Sequence, residues 1–211
     1  MREIKKEIRE DWFKDHIANY EEVNERLRVL DWKRTQSSTY RVRYVMDGSY
    51  LYISGDLGEA VFNLTWEATL ESFQDINLGY FHSKLSAYGD NKKYWDSEEA
   101  KDRLQEEVDE LEKNFVDYGY KTIDDEELID RVSLLETMQD IADDCSTSKE
   151  WESRISFEGY DPLFEQLQKY DNDCWEWIFA IGDTIPGRVR AYWIGLKMAF
   201  EQLEGDKNER S

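Results

Sequence analysis

Between Asp96 and Asp144 the chain places nineteen Asp and Glu against five Lys and Arg, a net of −14 over 49 residues. Carboxylates at this density need no catalytic geometry to act, because they create a negative field that a basic groove on another protein recognises. At about 100° per residue, Glu99, Asp102, Glu106, Asp109, Glu110 and Asp117 project to one side of a helix over 97–117, with Leu104, Val108, Leu111 and Phe115 on the other. Asp124, Asp125, Glu126 and Glu127 crowd the first turn of a second helix over 125–143, where carboxylates cap and complement the helix dipole. A helix of this length spans ~30 Å, so fourteen net charges amount to one per ~2 Å, close to the one per ~1.7 Å of duplex DNA. These ten acids are the expected partner-binding set. The plainer reading is a pair of solvated faces whose acids confer solubility.

Two cysteines, Cys145 and Cys174, and two histidines, His16 and His82, equal in number the ligands of a tetrahedral zinc site. No C-x-x-C or H-x-x-x-H occurs, so Cys145, Cys174 and His82 would have to be assembled from distant segments, with an acid completing the set. The expectation is that no cofactor is required and that the cysteines are ordinary semi-buried thiols, a structural zinc being the alternative. Catalytic signatures are equally absent: there is no H-E-x-x-H, no glycine-rich phosphate loop and no nucleophile elbow. Ser54-Gly55-Asp56-Leu57-Gly58-Glu59 lacks the lysine of a phosphate loop and reads as a turn. The chain is therefore expected not to be an enzyme. Arg41 and Arg43 beside Tyr40, Tyr44, Tyr50 and Tyr52 could stack bases on an exposed sheet, but alternation buries Tyr40, Val42 and Tyr44 and favours internal pairing of the arginines. A net charge of −21 argues against direct nucleic-acid binding.

The elements that must carry these residues follow from periodicity. Ile4, Ile8 and Trp12, then Val23, Leu27 and Leu30, predict two short helices over 2–15 and 20–30. From Asp31 the period becomes two, predicting a meander of strands at Tyr40–Met46, Tyr50–Ser54 and Ala60–Thr65, with 31–37 as a fourth. Helices are expected at 67–73, 77–87, 97–117, 125–143, 147–156, 161–169, 172–180 and 187–204, with Pro162 and Pro186 at first turns. The expected fold is α+β, a small antiparallel β-meander packed on a larger helical body. A single domain is expected over 1–205, made of N-terminal helices 1–30, the meander 31–66 and the helical body 67–205, with a polar tail at 206–211. The chain of 211 residues contains 40% hydrophobic residues and 14% aromatics, enough to fold despite 36% charged residues. It contains no run of eighteen apolar residues, so neither a signal peptide nor a membrane contact is expected, and the expected location is the cytoplasm.

Three stretches, SGDLGEAVFNLTW at 54–66, NLGYFHSKLSAY at 77–88 and AYWIGLKMAFEQL at 191–203, resemble uncharacterised proteins carried by phages and prophages of low-GC Gram-positive bacteria. Such small acidic phage proteins include anti-CRISPR inhibitors and restriction inhibitors that imitate DNA. The resemblance implies a setting, evasion of host defence, and no functional residues. With the charge pattern it gives the leading expectation: an inhibitor that uses an acidic, nucleic-acid-mimicking surface to bind a basic, nucleic-acid-binding host nuclease, foremost an RNA-guided CRISPR nuclease. The alternatives are an immunity protein for a nuclease toxin, anchored by aromatics such as Trp175 and Trp177, and an enzyme whose site carries no recognisable motif.

Overall fold

Inward Val42, Tyr44 and Met46 alternate with outward Arg41, Arg43 and Val45 along the longest strand, and this pattern organises the first half of the molecule. The structure, a computed structural model, describes residues 2–117, 125–157 and 162–209, without the side chains of 2, 3, 114–117, 125, 126 and 209. It confirms the α+β class, with an antiparallel meander sheet and a larger set of helices. The sheet has six strands, not three or four: β1 (Ile17–Glu22), β2 (Leu27–Arg34), β3 (Ser37–Asp47), β4 (Tyr50–Gly55), β5 (Ala60–Asn63) and β6 (Leu85–Tyr88), paired in chain order. Gly48, at φ +59°, makes the two-residue turn between β3 and β4 possible.

The additional strands come from segments with helical spacing. Residues 20–30 form the β1–β2 hairpin instead of a helix, because Asn24 Oδ1 accepts hydrogen bonds from the amides of Arg26 and Leu27 and closes an Asx turn. In 77–87, Asn77 caps a helix only as far as Ser83 (α2, Leu78–Ser83), after which Leu85–Tyr88 pairs with β5. Residues 67–73 contain one 3-10 turn, Glu71–Phe73, and 172–180 contain two, Cys174–Glu176 and Ile178–Ala180. The N-terminal helix α1 (Arg2–Glu7) continues as a π-helical turn, Ile8–Trp12, and stops there.

The chain divides into two compact units, 1–92 with 185–211, and 93–184. Where the sequence predicts one domain over 1–205, that span contains two separate hydrophobic cores, and its helical body is shared between them. In the first unit, helix α7 (Gly187–Glu209) lies on the inner face of the sheet. Gly195 has no side chain where α7 meets Tyr44, Phe13 and Trp32, so the helix can approach closely. Tyr44 Oη donates to the Tyr192 carbonyl at 3.1 Å, and Tyr192 Oη donates to the Leu57 carbonyl at 2.7 Å. The helix continues into the expected polar tail, since a lone glycine at 205 costs only about 1 kcal/mol and no proline follows it.

The second unit contains the ribbon of β7 (Tyr94–Trp95) and β8 (Asp183–Thr184), and helices α3 (Ser97–Asp117), α4 (Asp125–Asp143), α5 (Ser148–Phe157) and α6 (Leu163–Tyr170). Ala100, Leu104, Val108, Leu135, Met138, Ala142, Trp151 and Ile155 fill its core. Trp151 Nε1 donates to the Ile178 carbonyl at 2.8 Å, and its ring stacks on Trp95. No described helix is long and apolar enough to cross a membrane.

Candidate functional site

Helices α3 and α4 run antiparallel, because early residues of one meet late residues of the other. Lys101 Nζ lies 2.7 Å from Asp143, and Gln139 Nε2 donates to Gln105 Oε1 at 3.2 Å. Leu104 and Val108 of α3 and Leu134, Leu135 and Met138 of α4 are buried, which turns the opposite side of each helix to solvent. On α3 that outward side carries Asp102, Glu106, Asp109 and Glu110, all exposed as the sequence anticipated. Asp109 accepts a hydrogen bond from Gln105 Nε2 at 2.8 Å.

Glu99 behaves differently. It is half-buried and bound to Arg103 at 2.7 Å, while Arg103 also donates to the Ile181 carbonyl at 2.9 Å. Glu99 therefore orients a structural arginine, which removes it from the outward set. Glu127 is half-buried on α4. Asp117, Asp125 and Glu126 are helical, but their side chains, like that of Phe115, lie outside those described, and Asp124 lies outside the described residues.

The basic residues of this unit are directed largely to internal partners. Lys101 binds both Asp143 and Glu98, hydrogen bonds that hold its ammonium above the usual lysine range. Lys93 pairs with Asp183 at 2.9 Å, Arg154 with Asp144 at 3.3 Å, and Arg131 lies over the Tyr170 ring at 5.6 Å. Carboxylates then outnumber their partners, and repulsion appears where they crowd. Partial desolvation, followed by Glu110, Asp171 and Glu106, pushes the Glu107 carboxyl above the ordinary glutamate range, against the opposing pull of Arg131. The sequence missed Glu107 and the Lys101 clamp, although the Glu98–Lys101 spacing of three was a signal for the clamp.

Cys145 and Cys174 are both buried in the second core, and burial raises the Cys174 thiol. His82 is in the other unit, half-exposed, with Nε2 2.8 Å from the Lys92 carbonyl. Among the described residues no group of three or more His, Cys, Asp and Glu is arranged to hold a metal. Arg41 and Arg43 each bind Asp31 at 2.8 Å, so the sheet arginines are paired internally by a neighbouring strand, while Tyr50 and Tyr52 stack on each other at the surface. Trp175 is exposed, and Trp177 is half-buried with Nε1 donating to Asp171 at 3.0 Å. Compared with known proteins, the chain matches no family model, no curated protein and no solved structure.

Proposed function

We propose that the protein is a stoichiometric inhibitor whose acidic unit occupies the basic nucleic-acid channel of a host defence nuclease, an RNA-guided CRISPR nuclease being the leading target. One observation carries this reading. Residues 93–184 contain twenty-eight acids and nine bases, a net of −19 out of −21, while the other unit contains twenty acids and eighteen bases. Solubility alone would be served by charge spread over the whole surface. Concentration in one unit, with Asp102, Glu106, Asp109 and Glu110 outward and Lys101 and Arg103 bound to acids of the same unit, suits a partner whose groove is shaped for a polyanion. The fit is electrostatic, so the reading is of a binding protein that turns nothing over.

The test is retention of host proteins on the immobilised protein at about 50 and 500 mM salt, a range over which polyanion-type contacts weaken steeply. A nuclease retained at low salt, released at high salt and displaced by duplex nucleic acid supports the reading. Retention that resists both salt and nucleic acid favours an aromatic anchor such as Trp175, as an immunity protein would use.

A further inference from the structure

The first unit contains a cleft of about 170 Å³ lined by Ile4, Lys5, Leu78, Arg190, Trp193 and Ile194. Its wall is apolar: Leu78 from α2, Ile194 and the Trp193 ring from α7, and Ile4 from α1. Apolar cavities of about 150 Å³ accept benzene, so a group of that size fits.

The rim is cationic in a chain of net charge −21. Among the described residues Arg190 is held by one bond, its Nε donating to the Ile185 carbonyl at 2.9 Å, and no partner there engages the two terminal nitrogens of the fork. Lys5 is exposed, and among the described residues neither Lys5 nor Arg190 forms an ion pair. A third cation, Lys197, donates to the Gln74 carbonyl and holds its ammonium 4.7 Å from the centre of the Trp193 ring. Burial and then repulsion from Lys5 lower its pKa, while Asp75 and Glu201 oppose the shift. Glu201 is itself bound to Arg9 at 2.6 Å. The Trp193 indole N–H donates to the Ile76 carbonyl at 3.1 Å, which fixes the ring as one wall.

We infer that this cleft binds a small monocarboxylic acid with a benzene-sized apolar group, the group entering between Leu78, Trp193 and Ile194 and the carboxylate meeting the Arg190 fork with Lys5 beside it. Arginine's planar fork suits a carboxylate, and a partly desolvated site strengthens that pairing. The apolar wall selects against acids that lack a hydrophobic body. This site is separate from the acidic helices, so its success or failure leaves the reading of those helices unaffected.

The experiment is an NMR titration of the intact protein, following the Trp193 indole N–H, assigned with Trp193→Phe. Benzoate is compared with benzamide, which lacks the charge, and acetate, which lacks the ring. Benzoate should give a saturable shift, with benzamide and acetate binding at least about tenfold more weakly. Arg190→Gln should weaken benzoate about tenfold. Lys5→Gln, at an exposed position that does not threaten the fold, should weaken it about twofold. Leu78→Trp should fill the cleft and abolish the shift while the circular dichroism is retained. No saturation with benzoate, equal binding of benzoate and benzamide, or benzoate binding unchanged in both Arg190→Gln and Lys5→Gln would each overturn the inference.

Discussion

At the scale of single residues, burial separates groups that titrate or pair from groups that only look chemical. His16 is 3% exposed, between Phe13 and Trp32, with Nε2 3.2 Å from the Tyr40 carbonyl and Nδ1 without a hydrogen-bond partner among the described residues. Burial is the largest influence on its pKa and lowers it; Arg34 pushes the same way, while the Tyr40 carbonyl and Asp15 oppose. The unfolded chain therefore binds this proton more readily than the folded one. The stability it confers is complete above the ordinary value of about 6.5 and is lost as pH falls through the lowered folded value. Thermal midpoints between pH 7.5 and 5.5 should fall more for the parent than for His16→Gln, and parallel curves would show that the imidazole contributes nothing. The sequence could not place His16, because a single histidine between Lys14-Asp15 and Ile17-Ala18 carries no periodicity. It placed Asp102, Glu106, Asp109 and Glu110 correctly, because a helical repeat of apolar residues fixes the opposite face. Glu99 shares that repeat, and its spacing of four from Arg103 was the sequence signal for the bond that draws it out of the outward set.

At the scale of elements, long amphipathic helices were legible and short segments were not. Helices α3 and α4 have the bounds that the spacing of Leu104, Val108, Leu135 and Ala142 implies. The β1–β2 hairpin was misread because Val23, Leu27 and Leu30 fit a helical period by coincidence, while the deciding contact, the Asn24 side chain on two amides, is local and leaves no periodic trace. Strand β6 was hidden for a different reason: four residues supply too few alternations to outweigh the capped helix before them. Helix α7 carries Trp193, Leu196, Phe200 and Leu203 at helical spacing, and this stripe faces the core: Leu196 is fully buried and the other three are partly buried against it. Leu196→Ala should cost about 2–5 kcal/mol through the cavity it leaves, measured by denaturant unfolding. An unchanged unfolding midpoint would mean that the core closes around the missing atoms.

At the scale of the whole molecule, the separation of charge is the property that asks for a function. The overall charge was legible, as it is a matter of counting. Its coincidence with one structural unit was not, because the boundaries at Lys93 and Thr184 are set by which side chains share a core, and no linker composition marks them. A unit of net −19 repels itself, and at Glu107 repulsion from Glu110, Asp171 and Glu106 adds to the larger effect of desolvation in raising the carboxyl. Such repulsion is offset only when a polycationic surface is bound or salt screens it. The inhibitor account is tested most directly by cleavage inhibition of purified RNA-guided nucleases as a function of salt, with the parent compared to a variant in which Asp102, Glu106, Asp109 and Glu110 are serine. The account predicts inhibition by the parent that weakens steeply with rising salt, and a variant of unchanged thermal stability whose inhibition is weaker and whose salt dependence is flatter. Inhibition by the variant equal to the parent's at every salt concentration would contradict it.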